Sequence, residues 1–517
     1  MAVTPRLAAA LLLVAATLVP PATHPDVAAA VARNCQATHA CTDLNGDGFD
    51  DAVIGNPYAS VNGRAQAGTV TVLFGDADGR IGEGVRRTIT QADGGSRPET
   101  GDHFGWSVSV NSLGLDGRLA IMVGSPDEDA PGAVDAGIVQ VFRFLPDAEG
   151  GPGRVVGSTV TQAGARGVVE AGDQFGYSVA LGDNYSDDNG YSFAGAPGED
   201  VDGVVDAGVV NGFQANDATE IPELPGRSEM AQGTGSMPGV PRPGDRFGST
   251  LVIADLARNP FVPWVLIGAP GDEVDGHPGA GSVTVISEED AVAPNSSTPE
   301  VPTQVVTQDA PGVSDEAEDG DGFGTSIAIG NPSTPGPYGY AIGAPGEDVG
   351  SVRDAGSVTL FDSDDLTLHA VGSLTQDAPG WGRAEAGDHF GASVAIRAVD
   401  DALLVGVPGE NFGSVADGGA ISIANGPVTD LTHFRTLTLS SAGIPGNARS
   451  KDRFGASVGG QTGVRENILA AGVPRKSGGS VIVFSSRDIP VRAWTAGKGG
   501  IPATTRFGAV VRGLETA

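Results

Sequence analysis

Apolar residues along this chain come in short runs that alternate with polar ones. Gly356-Ser357-Val358-Thr359-Leu360-Phe361 has period two, and Val265-Leu266-Ile267 is a compact apolar run ending at a Gly-x-Pro. Runs this short, rich in β-branched residues and bounded by Gly and Pro, predict strands. No helical periodicity occurs beyond the apolar N-terminal stretch. The chain is therefore expected to be all-β.

The runs recur with two short motifs. Phe-Gly occurs seven times, at Phe104, Phe175, Phe247, Phe323, Phe390, Phe454 and Phe507. Gly-x-Pro also occurs seven times, starting at Gly55, Gly124, Gly195, Gly268, Gly343, Gly406 and Gly472. Each unit reads as four strands. One follows Phe-Gly, and the second ends at Gly-x-Pro. A third alternates, and a Thr-rich fourth ends in Thr-Gln, as at Thr161-Gln162, Thr307-Gln308 and Thr375-Gln376. Units of this length exceed one coil of a β-solenoid, about 20–30 residues, and suit propeller blades. Phe fills the space between blades, its Gly lets backbones approach, and Pro ends the second strand without removing a ladder bond.

The two ends complement each other. Gly55-Asn56-Pro57 has no Phe-Gly before it, and Arg506-Phe507-Gly508-Ala509-Val510 has no Gly-x-Pro after it. The expected fold is a seven-bladed β-propeller of four-stranded blades, closed by the C-terminal Phe-Gly strand. The domain reading is a signal peptide over 1–32, a lead-in over 33–42 and the propeller over 43–517. Closure removes two exposed sheet edges.

The paired motifs resemble the FG-GAP repeats of the integrin α-chain propeller and its bacterial relatives, from about Asp43 to the C-terminus. The resemblance implies the propeller fold, and it says far less about activity. It does not extend to integrin ligand binding, because an inserted domain and an Arg-Gly-Asp string are both missing from the sequence.

One loop carries candidate metal chemistry. In Asp43-Leu44-Asn45-Gly46-Asp47-Gly48-Phe49-Asp50-Asp51, oxygen ligands fall at alternate positions. Asp43, Asn45, Asp47, the Phe49 carbonyl and Asp51 are the candidate ligands, and Gly46 and Gly48 permit the sharp turn. A flexible, all-oxygen set selects calcium. The bland alternative is an acidic turn without metal. A loop ahead of a strand, without flanking helices or a twelfth-position Glu, resembles FG-GAP calcium sites more than an EF-hand. FG-GAP domains commonly carry several such loops; this chain shows one.

Charge narrows the partners. Acidic residues outnumber basic ones, 64 to 30, for a formal charge of −34 over 517 residues. Such a surface repels phosphate backbones, so nucleic acid is not an expected partner. Asp stands two residues before Phe in six repeats, at Asp102, Asp173, Asp245, Asp321, Asp388 and Asp452. More acids follow Gly-x-Pro: Asp127-Glu128-Asp129, Glu199-Asp200, Asp272-Glu273, Glu347-Asp348 and Glu410. Blade topology places both sets on one face and the calcium loop on the other. Two readings stand, turn chemistry or a surface for cations and basic partners.

The N-terminus reads as an export signal. Arg6 precedes the apolar stretch Leu7–Val19, too short for a membrane span of about twenty residues, and Ala30-Val31-Ala32 is a cleavage candidate. No other segment is apolar enough to span. In an exported chain Cys35 and Cys41 are expected to pair.

Catalysis is not expected. Gly455-Ala456-Ser457-Val458-Gly459 matches a nucleophile-elbow string, but Ser457 shares its repeat slot with Ser107, Ser178, Ser326 and Ser393. His103 and His389 likewise share one slot, and no His-x-x-x-His zinc pair occurs. The functional expectation is a secreted, monomeric, calcium-binding adhesion, recognition or scaffolding module. Its partner would be an extracellular protein or glycan, with cationic partners favoured by charge. The alternatives are an envelope structural protein without a ligand, and a hydrolase. The hydrolase reading rests on glycosylphosphatidylinositol-specific phospholipase D, whose propeller of this type follows a separate catalytic domain. That domain has no expected counterpart ahead of Asp43.

Overall fold

The computed structural model describes residues 42–512 apart from residues 50, 76–85, 114–117, 146–152, 183–190, 215–219, 236, 256–262, 288–289, 292–302, 314, 331–337, 364–366, 398–401, 445–446, 462–467, 474–478, 485–489 and 496–509. The expected signal peptide, Cys35, Cys41 and Phe507-Gly508 lie outside the described residues.

The fold is an all-β propeller of four-stranded antiparallel sheets. Each blade runs first, second, third and fourth strand in chain order. Blade 1 is Ser107–Ser112, Leu119–Ser125, Ile138–Leu145 and Arg154–Thr161. Blades 2 to 6 begin at Ser178–Leu181, Thr250–Asp255, Ser326–Gly330, Ser393–Arg397 and Val458–Gln461.

The expectation of seven repeat blades needs correction: six blades, not seven, are cut from consecutive strands of the chain. The remaining sheet is a composite. It orders Val510–Arg512, Ala52–Asn56, Thr69–Leu73 and Arg86–Ile89. Val53, Ile54 and Gly55 pair antiparallel with Arg512, Val511 and Val510. Val510–Arg512 also packs against the first strands of blades 6 and 1.

The Phe-Gly strand of the sequence reading is corrected too. Phe-Gly is not part of the strand. Gly105, Gly176, Gly248, Gly324, Gly391 and Gly455 all have φ between +84° and +90°, a left-handed turn that a strand cannot contain. The strand starts two or three residues later. Each Phe N–H instead donates to the lead-in of the preceding sheet's third strand, as Phe175 does to the Ala136 carbonyl at 2.9 Å. The neighbouring glycine has to be glycine: a Cβ on Gly137 would lie 2.2 Å from the Phe175 carbonyl oxygen. The Phe rings, each 0% exposed from Phe104 to Phe454, fill the space between sheets. Burying one such ring contributes about 1.5–3 kcal/mol.

Second strands end at the residue before Pro, as at Asn56, Ser125, Ala196, Ala269, Ala344 and Val407. The Gly of Gly-x-Pro is a second close approach. A Cβ on Gly124 would meet the Gly176 carbonyl oxygen of the next blade at 1.8 Å. The core is thus a series of interfaces between sheets, lined by aliphatic residues around the Phe of Phe-Gly and further Phe side chains, as Phe213 beside Phe175 and Phe142 beside Phe104.

Candidate functional site

The two ends of the blades carry different chemistry. At one end lies the Asp43–Asp51 loop. Asp43 accepts backbone N–H bonds from Gly46 (2.7 Å), Asp47 (3.0 Å) and Gly48 (2.7 Å). Asn45 donates to Asp47 at 2.8 Å, and Asp47 accepts from Phe49 N–H at 3.0 Å. Asp51, 0% exposed, accepts from Leu44 N–H at 2.8 Å and from Gly75 N–H at 2.9 Å, tying the loop to the exit of the third strand. Burial pushes Asp43 up to about 6, with the Asp47 charge adding to it. Burial also raises Asp47, and raises Asp51 well above the usual carboxylate range.

By donor type these oxygens fit a hard cation. Their geometry favours the backbone: each carboxylate is engaged with loop amides. Among the described residues no group of three or more His, Cys, Asp or Glu side chains converges as a metal set.

The opposite end carries the Phe-Gly and Gly-x-Pro connections. Between the second and third strands, tight turns close on six small bridges: Val61–Arg64, Ala130–Ala133, Val201–Val204, Val274–His277, Val349–Val352 and Phe412–Val415. Their legs bond to the entry of the next blade, as Gly172 N–H does to the Val134 carbonyl at 2.9 Å. Both acidic sets therefore share this face, as topology requires.

Their roles divide by burial. Each Asp before Phe is buried and accepts a backbone N–H from three residues earlier. Asp173 accepts from Glu170 (2.5 Å), Asp245 from Arg242 (2.6 Å), Asp321 from Glu318 (2.6 Å), Asp388 from Glu385 (2.7 Å) and Asp452 from Arg449 (2.8 Å), and Asp102 from Glu99 in the same way. This is turn chemistry.

The acid that follows Gly-x-Pro plays a role that the sequence reading missed. The Gln ending one sheet's fourth strand donates Nε2 to it across the seam. The pairs are Gln91–Glu128 (2.6 Å), Gln162–Glu199 (2.5 Å), Gln232–Asp272 (3.0 Å), Gln308–Glu347 (2.5 Å) and Gln376–Glu410. Recurrence of Thr-Gln was the available signal. Burial pushes Glu128 up to about 7 and Glu199 to about 8, with Asp102 and Asp173 adding to the respective shifts. Burial and then Asp315 push Glu347 up to about 9. Glu199 and Glu347 are thus seam groups, 6% and 1% exposed, and no part of a partner surface. The exposed acids of the tight turns include Asp129, Asp135, Asp200, Asp202 and Asp275, and Glu99, Glu170, Glu318, Asp319 and Glu385 are exposed at the neighbouring blade entries.

The serines three after Phe are structural where their bonds are seen. Ser107, Ser178, Ser326 and Ser393 donate to the carbonyls of Gly176 (2.7 Å), Gly248 (2.6 Å), Gly391 (2.7 Å) and Gly455 (2.8 Å) in the following blade. His389 meets the Pro345 carbonyl at 3.0 Å. His103, in the same slot, differs: its Nδ1 lies 2.5 Å from Asp127 Oδ2, among the rings of Tyr58, Trp106 and Tyr177.

Comparison with known proteins agrees with the repeat reading. Residues 36–73 match the FG-GAP repeat family. A 165-residue stretch, 30% of the chain, is 28% identical to phosphatidylinositol-glycan-specific phospholipase D of Dictyostelium discoideum. The match spans only 17% of that relative. Among solved structures, the periplasmic gluconolactonase PpgL of Pseudomonas aeruginosa superposes over 88% of this chain and 97% of its own, with a TM-score of 0.47 and 11% identity. No helix among the described residues is long and apolar enough to cross a membrane.

Proposed function

We propose that this FG-GAP repeat propeller is a secreted, non-catalytic recognition module, and that its binding face is the one formed by the six tight turns. One observation carries the reading. The turns share one geometry and present exposed Asp129, Asp135, Asp200, Asp202 and Asp275 on a chain of formal charge −34. The buried acids of the same face are consumed by turns and seams; these stay exposed, although Asp129 and Asp200 each also accept a turn N–H, from Asp135 and Asp206 at 3.0 Å. A cationic protein or glycan surface is the matching partner class. The domain reading, with a signal over 1–32, a lead-in over 33–42 and the propeller over 43–517, accompanies this proposal, as does the pairing of Cys35 with Cys41.

Calcium belongs to the same proposal. Asp43, Asn45, Asp47, the Phe49 carbonyl and Asp51 would hold it at the far end of the composite sheet. There it would neutralise carboxylates that burial makes costly to ionise.

The test uses the mature chain against immobilised polylysine. Retention should fall with salt, and Asp129→Asn, Asp200→Asn, Asp202→Asn and Asp275→Asn combined should weaken it without moving the melting curve. Unchanged retention sinks the reading.

A second reading, a hydrolase, draws on the name of the phospholipase D relative. It predicts phosphodiester turnover by the purified chain, and the recognition reading predicts none.

A further inference from the structure

The repeats break their own rule at two adjacent places. The residue after Gly-x-Pro is Gly198, Gly271, Gly346 and Gly409 in blades 2 to 5. A Cβ there would lie between 1.8 and 2.1 Å from the carbonyl oxygens of Gly172, Gly244, Gly320 and Gly387. The composite sheet and blade 1 carry Tyr58 and Asp127 in that slot instead, and the sequence of blade 6 has Arg475 there. The slot after Phe-Gly is also exceptional here. It holds Trp106 and Tyr177 in blades 1 and 2, but Ser249, Thr325, Ala392 and Ala456 in the others. Tyr58, Asp127, Trp106 and Tyr177 fall side by side on the tight-turn face.

They form one cluster. The ring centroids of Tyr58 and His103 lie 5.2 Å apart, His103 and Trp106 6.0 Å, Tyr58 and Trp106 6.4 Å, and Trp106 and Tyr177 5.5 Å. All four residues are half-buried. Asp127 fixes the imidazole through Nδ1, and Gln174 Nε2 supports Asp127 at 3.3 Å. Arg246 bonds Gln174 at 3.0 Å and lies 5.8 Å over the Tyr177 ring. With Nδ1 engaged by the carboxylate, His103 Nε2 is a polar ring atom buried without a partner. Burial, its largest cause, raises the Tyr177 phenol, so that hydroxyl stays a donor.

We propose that this cluster is a binding site for a neutral saccharide, with Trp106 and Tyr177 as the stacking platform and His103, Gln174 and Arg246 as hydroxyl partners. The proposal rests on the recognition reading of this face. The charge classes are excluded in turn. An anion meets Asp127 and the acidic rim. A quaternary ammonium needs a void between rings, and these rings touch one another edge to face; Arg246 already sits over Tyr177 and repels a second cation. A flat aromatic ligand needs parallel walls, and the ring pairs are tilted by 50° to 70°. A polyol with apolar C–H faces, whose hydroxyls both donate and accept, matches a half-buried shelf edged by polar groups and one unpartnered ring nitrogen.

The test is titration of the full mature chain, by tryptophan fluorescence and calorimetry, with cellohexaose, maltohexaose and laminarihexaose. Tetramethylammonium and sulfate serve as charged probes. At least one hexasaccharide should bind. Trp106→Ala and Tyr177→Ala should each weaken it about tenfold. Trp106→Phe should retain most of the affinity, and Ser393→Ala should leave it unchanged. Melting curves confirm that each variant is folded. Binding of no hexasaccharide, binding of tetramethylammonium in their place, or full affinity in both Trp106→Ala and Tyr177→Ala overturns the proposal. If polylysine retention persists in those cases, the saccharide site fails alone and the acidic recognition face stands.

Discussion

Gln162 donates from Nε2 to Glu199 Oε2 at 2.5 Å across the seam between blades 1 and 2, and both side chains are buried. Removing the donor leaves a buried carboxyl short of a partner. Gln162→Ala should therefore cost about 1–3 kcal/mol, read by urea denaturation. Glu199→Gln keeps a hydrogen-bonding amide there and should cost less. Equal losses would mean that shape, not the bond, holds the seam.

Five seams share this chemistry, so stability should depend on pH in an unusual direction. Burial raises Glu128, Glu199 and Glu347 to about 7, 8 and 9, and Asp321 and Asp388 to about 7. The unfolded chain releases the same protons at about 4. Between these limits the folded state binds more protons, so stability falls as pH rises through the folded values. The chain should be more stable at about pH 5.5 than at about pH 8.5. Glu199→Gln with Glu347→Gln should flatten the difference. Denaturation midpoints at the two pH values decide the matter, and a higher midpoint at the alkaline one refutes it.

Millimolar calcium should raise stability by about 1 kcal/mol if one weak extracellular-type site forms. Asp47→Ala should abolish the increment and leave the other blades folded. Calorimetric titration showing several equivalent sites, or none, would contradict the Asp43–Asp51 assignment.

Ser393→Ala removes a 2.8 Å bond to the Gly455 carbonyl and should cost about 1 kcal/mol. Ser457→Ala should behave alike in a thermal melt. If the chain turns over a phosphodiester and Ser457→Ala alone ends it at normal stability, the structural reading of that repeat slot is wrong.

Val510–Arg512 covers the edge of Ala52–Asn56. Deleting residues 510–517 should lower the melting temperature and promote aggregation through the bared edge. An unchanged melt would show that the pairing contributes nothing to stability.

The sequence by itself determined the four-stranded unit, the repeat, and the end of each second strand before Pro. Those rest on local chemistry: alternation, β-branching and the missing N–H of proline. It also placed the two acidic sets on one face, because strand direction alone sets which connections emerge together. It misread Phe-Gly as strand, since the positive φ of Gly105 or Gly176 is imposed by the neighbouring sheet's Ala-Gly backbone. The complementary ends of the repeat were legible, but the count of motifs did not show that only six blades are cut from consecutive strands, which pairing decided. Which acids are consumed and which are free was decided by packing. Glu199 and Asp200 are adjacent and alike in sequence, yet one is buried against Gln162 across a seam and the other is exposed on its turn, where it accepts the Asp206 N–H. The cluster of Tyr58, His103, Trp106 and Tyr177 needed three neighbouring sheets to assemble. Tyr58, the neighbouring pair His103 and Trp106, and Tyr177 are remote from one another along the chain, and only the docking of those sheets brings them into contact.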